Sequence, residues 1–322
     1  MKCFSAVLSA LVVSVFAVLA AAPFNLERVA NWPTLPAGWK FAKVSGIAVD
    51  SRGRVYVAHR GEHPLLRFDR DGRFLGEVGA KELGSSIFYD LRSSPPKPME
   101  RRWWVHGVHV DRWDNVWVTD VGRHIVLKFS PEGKHLLTLG TPDQSGESDR
   151  LFNQPTHVWV APQGHLYVTD GYGNSRVVKF SAEGKMLKTW GRRGSAPGEF
   201  HTPHSVTLDD KGQVYVADRE NNRIQVFDPD GQFLRIWPAL HSVDSICIRD
   251  GMLYAGAGLD NRILKLDLSG QILGSWGPEK ALGYPHGICV DANRTVYVAE
   301  VGADRASKFL MVGAAKRQVA SR

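Results

Sequence analysis

Residues Thr156–Gly191 read THVWVAPQGHLYVTDGYGNSRVVKFSAEGKMLKTWG, and residues His204–Trp237 read HSVTLDDKGQVYVADRENNRIQVFDPDGQFLRIW. The two stretches share one plan. In the second, an alternating apolar run (Val206, Leu208) leads into the turn Asp209-Asp210-Lys211-Gly212. A Val-Tyr-Val run follows at Val214–Val216, then a third run at Arg223–Phe227, and a Pro-Asp-Gly turn leads to a fourth. Alternation with period two places successive side chains on opposite faces of a strand, and Gly, Asp and Asn accept the backbone angles that reverse a chain. Each unit therefore reads as a four-stranded antiparallel meander.

The same plan recurs on both sides. Upstream, units open at Ser45 and at His106 (HGVHVDRWDNVWVTDV); downstream, at Asp244 (DSICIRDGMLYAGAG) and His286 (HGICVDANRTVYVAEV). Six units at intervals of 40 to 61 residues predict an all-β, six-bladed β-propeller around a central channel. A linear solenoid is the alternative, but four-stranded meanders close radially more readily than they stack. The last unit runs out after about three strands, near Leu310, while residues 23–44 have no unit of their own. This segment is expected to supply the missing outer strand of the last blade and so cover an edge. The propeller proper is assigned to residues 45–313, followed by a basic tail, 314–322. Between the first two units, Gly79–Trp103 is an insertion containing Pro95, Pro96 and Pro98, expected to be a long functional loop.

Composition narrows the function classes. The formal charge is +7, but no Lys/Arg block stands out except Lys316–Arg322, so a nucleic-acid partner is not expected. Lys2, an apolar stretch from Phe4 to Ala22 and small residues at Ala20–Ala22 mark residues 1–22 as a secretory signal, with cleavage expected after Ala20. An uncleaved membrane anchor is the alternative reading. Export to a periplasmic or extracellular space is expected, and a monomer. Outside the signal the cysteines are Cys247 and Cys289. They share one strand position in neighbouring blades and point to the same side of their own blades, so both are expected to be free thiols.

Aligning the units on the residue that opens each first strand gives the column Ser45, His106, Thr156, His204, Asp244, His286. Histidine occupies every second blade. Alternate blades of a six-bladed ring are related by about 120°, and the first strand lines the channel. Three imidazoles at one height would converge on the axis and leave a fourth position open, the ligand count of a catalytic zinc site. Residues just after the second strand return to the same face. These are Arg60 in the first unit, Tyr172 in the third and Arg219 in the fourth. A guanidinium fork suits a carboxylate, and a phenol beside a dication ionises more readily and can act as a base. The blander reading makes Asp120, Asp170 and Asp218 turn-holders, pairs Arg219 with one of them and packs Tyr172 into its loop. His59, His109, His124, His157, His165 and His201 form no column and are read as packed or solvated.

The turns Asn221-Asn222-Arg223, Asn174-Ser175-Arg176 and Asn261-Arg262, with the Asp-Gly turns, resemble those of NHL repeats. Across nearly the whole exported chain, densest in VTDGYGNSRVVKFS, VADRENNRIQVF and YPHGICV, the sequence also resembles the peptidyl-α-hydroxyglycine α-amidating lyases. That resemblance implies a zinc lyase that releases glyoxylate. It implies zinc on His106, His204 and His286, a catalytic tyrosine at Tyr172, a substrate arginine at Arg60 and a second active-site arginine at Arg219. The substrate implied is a peptidyl- or N-acyl-α-hydroxyglycine with a free carboxylate. The family's active-site methionine is replaced by Tyr284, here assigned to substrate binding together with Arg60 and Arg219. A structural calcium is also implied, on the carbonyls of Ile47 and Val108, but Gly287 stands where the family has its aspartate and speaks against that ion. The family's disulfide cysteines are absent, with Asn153 and Gly173 among their positions. Two other readings are open: a metal-dependent propeller hydrolase such as a lactonase, whose hard cation prefers carboxylate ligands, and a non-catalytic propeller scaffold that binds a protein.

Overall fold

The computed structural model describes residues 24–90 and 97–312. Residues 1–22, where a secretory signal is expected, residues 91–96 of the insertion with Pro95 and Pro96, and residues 314–322, where a basic tail is expected, lie outside the described residues. What is described is nearly all β, with one short 3-10 turn at Arg219–Asn221. Six four-stranded antiparallel sheets form the six blades of a propeller. Each first strand lies innermost and each fourth strand outermost in the hydrogen-bonded order.

The repeat pattern explains the packing. Both faces of a blade are covered by neighbours, so inner strands such as Val214–Asp218 and Arg176–Phe180 are buried along their whole length, whereas the outer strand Met186–Trp190 is mostly exposed. The core is accordingly split into six clusters, one at each interface between blades. One joins Val116, Val118 and Ile125 of blade 2 to Tyr56, Ala58 and Leu65 of blade 1. Another closes the ring, setting Tyr297, Ala299 and Ala306 of blade 6 against Val44, Ile47 and Val57 of blade 1, with Trp32 packed among them.

Asn25–Arg28 is the outer strand of blade 6. It runs antiparallel to Arg305–Val312, with Asn25 opposite Val312 and Arg28 opposite Phe309. The chain's first described strand and its last thus share one sheet, which fastens the ring. The insertion, expected to be a long loop, contains regular structure. Ser85–Asp90 and Lys97–Trp103 pair as a two-stranded hairpin, and Pro98 is accommodated opposite Tyr89 beside a register shift. Proline is tolerated because a two-stranded ribbon leaves half of its backbone groups unpaired. Cys247 and Cys289 are free thiols.

Candidate metal centre

His106, His204 and His286 open the first strands of blades 2, 4 and 6, and all three are buried. Their ring centroids lie 4.7, 4.6 and 4.8 Å apart, a nearly equilateral triangle. Among the described residues, no other group of three or more His, Cys, Asp or Glu side chains converges in this way.

The other half of the column explains how the rings are aimed. His106 Nδ1 meets the Thr156 carbonyl at 2.7 Å, His204 Nδ1 the Asp244 carbonyl at 2.6 Å, and His286 Nδ1 the Ser45 carbonyl at 2.7 Å. Each histidine therefore leans on the opening residue of the next blade. A carbonyl only accepts, so each Nδ1 must donate, and each Nε2 is left with a lone pair. Tyr172 Oη lies 3.0 Å from His106 Nε2 and 2.9 Å from His204 Nε2, while His286 Nε2 has no partner. One phenol proton can satisfy one of these lone pairs at a time. Burial holds His106 and His204 well below the ordinary histidine range and pushes His286 down to about 3, so all three are neutral. Three neutral nitrogens with buried, under-satisfied lone pairs and carbonyl-bonded Nδ1–H groups form the donor set of a transition metal with its supporting shell already in place. These residues could bind a metal ion.

The loops after the second strands bring the remaining groups to this face. In blade 3, Asp170 accepts from Asn174 Nδ2 (2.7 Å), Arg176 Nε (2.9 Å) and the Asn153 amide (2.9 Å), and Tyr172 sits on the loop so held. Blade 4 repeats the device: Asp218 Oδ2 accepts from Asn221 Nδ2 (2.8 Å) and Arg223 Nε (2.6 Å), and Arg219 sits between them. The Asn–Arg signature of the repeat is thus the latch that fixes the loops on the histidine face. The partner of Asp218 is Arg223, not Arg219. Arg219 instead reaches Asp244 Oδ1 (3.2 Å) and Glu220 (2.9 Å), with its guanidinium 5.4 Å from the Tyr172 ring centroid. Asn153 and Gly173 do lie together. A Cβ on Gly173 would fall 2.1 Å from the Asn153 side chain, and the Asn153 carbonyl accepts from the Gly173 amide at 2.9 Å.

Arg60 is half-buried, with its guanidinium carbon 5.2 Å from the ring centroid of Trp104. Trp104 in turn lies 5.7 Å from Tyr172, ring to ring. Burial raises the Tyr172 phenol above its ordinary range, while Arg219 and then Arg60 pull it back. Tyr284 lies 6.4 Å from His286, ring to ring, and its hydroxyl donates to Asp244 Oδ1 at 3.4 Å. Burial pushes the Asp244 carboxyl up to about 6, with Arg219 opposing. Two residues of this site escape a reading of the sequence. Trp104 belongs to no repeat, because it lies between the insertion and the second unit. Asp244 stands in the histidine column itself, where a charged residue among Ser45 and Thr156 is the signal. Ile47 and Val108 lie on the channel wall below the histidines together with Gly287. Gly287 brings no carboxylate there, so the implied calcium has no acidic ligand at that position.

Comparison with known proteins follows the same lines. The NHL repeat family model matches residues 152–180 and 200–227. Peptidyl-glycine α-amidating monooxygenase B of Xenopus laevis is 33% identical over 92% of this chain and 37% of its own length. The chain spans about a third of the length of this relative and its mouse counterpart. Peptidyl-α-hydroxyglycine α-amidating lyase 2 of Drosophila melanogaster is 31% identical over 85% of this chain and 72% of its own. NHL repeat-containing protein 3 of Homo sapiens is 32% identical over 87% and 82%. Among solved structures, a gluconolactonase from Xanthomonas campestris superposes with a TM-score of 0.64 at 16% identity, covering 92% of this chain and 93% of that one; this likeness concerns the fold alone.

Proposed function

The chain belongs to the NHL-repeat propeller family that includes the peptidyl-α-hydroxyglycine α-amidating lyases and NHL repeat-containing protein 3, and on that premise we propose that it is an exported zinc lyase. Its substrate is a peptidyl- or N-acyl-α-hydroxyglycine, cleaved at the C–N bond to an amide and glyoxylate. The observation that carries this reading is the convergence of three carbonyl-braced Nε2 lone pairs beside a phenol and two guanidinium groups.

His106, His204 and His286 would hold the zinc. When bound, the ion supplies Lewis acidity toward the substrate's oxygens. Tyr172 Oη, between two of the histidines, acts as the phenolate: it accepts the hydroxyl proton and passes it to the departing amide nitrogen as the carbinol carbon becomes the aldehyde of glyoxylate. Atoms and charge then balance without an outside reactant. Arg60, held against Trp104, receives the substrate carboxylate. Arg219 adds positive charge beside the phenol, which favours the deprotonated form. Tyr284 forms a wall beside His286.

The test is glyoxylate release from an N-acyl-α-hydroxyglycine by purified protein whose zinc content is measured on the same sample. Zinc with turnover supports the lyase. Zinc without turnover leaves the metal centre and removes the reaction. Calcium alone would favour a lactonase-like hydrolase, and no metal at all a binding scaffold.

A further inference from the structure

The metal centre has a near-threefold frame, and one residue breaks it. In blade 1 the Ser45 hydroxyl donates to the Val105 carbonyl at 2.8 Å, just before His106. In blade 3 the Thr156 hydroxyl does the same to the Pro203 carbonyl at 2.8 Å, just before His204. The third member of this set is Asp244. Its backbone carbonyl braces His204 as the others brace their histidines, but an ionised carboxylate has no proton to donate. Its side chain turns to the active face instead. Oδ1 accepts from Arg219 Nη1 at 3.2 Å and from Tyr284 Oη at 3.4 Å, and Oδ2 accepts from Ser242 Oγ at 3.4 Å.

Room for this arrangement is made by a glycine. Gly258 occupies the repeat position, in the loop after the second strand, that Arg60 and Arg219 hold in their own blades. A Cβ there would lie 2.2 Å from Asp244 Oδ2 and 2.4 Å from the Tyr284 ring. Glu220 takes a second face of the Arg219 guanidinium but is 45% exposed, so solvent screens it, whereas the Asp244 side chain is fully buried. Asp244 is the stronger clamp. The same Nη1 that it holds lies 3.5 Å from Tyr172 Oη.

We propose that Asp244 is a positioning residue that withdraws Arg219 from substrate binding, clamping it beside Tyr172 so that the substrate carboxylate is left to Arg60. The substrate half of this statement rests on the lyase reading; the division of labour between the two arginines does not. Asn at position 244 keeps the size and the backbone carbonyl, and removes the anion. In zinc-loaded protein, Arg60→Ala should raise both KM and the glyoxylate dissociation constant by about tenfold or more, while Arg219→Ala should leave the glyoxylate constant within about threefold and lower kcat. Asp244→Asn should retain zinc, lower kcat and free Arg219. In that background Arg60→Ala should then cost less than about threefold in glyoxylate affinity, a coupling read directly from the double-mutant cycle.

The proposal is overturned if Arg60→Ala costs the same in both backgrounds, or if Arg219→Ala weakens glyoxylate as much as Arg60→Ala does. Loss of zinc in Asp244→Asn would also overturn it, by making Asp244 a support of the metal. The Arg219→Ala comparison stands even where Asp244→Asn fails to fold. If wild-type protein releases no glyoxylate yet shows this coupling in glyoxylate binding, the lyase reading falls and the assignment of Asp244 survives.

Discussion

At the scale of single residues, the site depends on which nitrogen of each imidazole carries the proton. Thr156, Asp244 and Ser45 decide this through their backbone carbonyls, so their side chains are free to differ while the site keeps its aim. Tyr172 is the group whose chemistry can be removed without disturbing that aim. Tyr172→Phe should keep the metal and lose turnover by roughly 10²-fold or more, the usual contribution of a positioned acid–base group. Zinc content and glyoxylate release measured on one preparation check this; a variant that keeps full turnover would exclude Tyr172 as the proton acceptor. The three histidines were legible because the repeat supplies its own alignment. Asp244 was visible in the same column, but its carboxylate's direction was not, since that depends on Gly258 leaving space in the loop after the second strand. Trp104 lay beyond reach, because it falls between the insertion and the second unit and has no repeat to compare with.

Among the elements, the latch between second and third strands does the positioning. Asp170 with Arg176 and Asp218 with Arg223 are buried ion pairs, and their loops carry Tyr172 and Arg219. Glu300 with Arg305 repeats the pair in blade 6, under the loop that packs against Tyr284. Blade 2 keeps the acid, Asp120, but places Ile125 opposite it, and burial pushes that carboxyl up to about 7. The Asn–Arg turns were legible as a family signature; that the arginine closes onto the acid of the preceding strand follows from the register, which pairs Asp218 with Arg223. Arg223→Ala leaves Asp218 buried without its cation and should destabilise by about 3–5 kcal/mol. Lys43 and Asp304, both about half exposed, form a control pair whose loss should cost roughly 0–1 kcal/mol. Denaturant midpoints of the two variants check the contrast, and similar costs for both would remove the latch from the account. The insertion shows where sequence reading stopped: with no repeat to match it was expected to be a long loop, yet two of its segments pair as a hairpin whose unpaired backbone positions accept proline.

Over the whole molecule, six blade interfaces share the core, and ring closure rests on one strand and one cluster. Blade number and closure were legible because the last unit lacked a strand and the N-terminal segment lacked a unit. The interfaces also bury histidines away from the metal centre. Burial pushes His59 down to about 4, His109 to about 3 and His157 to about 4. In the unfolded chain they titrate near 6.5, so below that pH the unfolded state binds protons that the native state refuses. Their stabilising effect is complete above pH 6.5 and is lost as pH falls toward 4, by up to about 1.4 kcal/mol per pH unit for each. Thermal unfolding of metal-free protein should therefore give a clearly lower Tm at acid pH than at neutral pH, with His157→Asn flattening the dependence; an unchanged or higher Tm in acid would contradict the burial argument. The same ring geometry that buries these residues brings His106, His204 and His286 to one point, and that convergence is the central claim. It is tested most directly by the bound metal per chain in wild type, in His106→Ala, His204→Ala and His286→Ala, and in the triple variant. The account expects about one equivalent in wild type, most of it lost in every single variant, and a triple variant little worse than any single one, because each removal destroys the same site. Full metal occupancy in His204→Ala, or losses that add from variant to variant, would show that the three histidines do not share one ion.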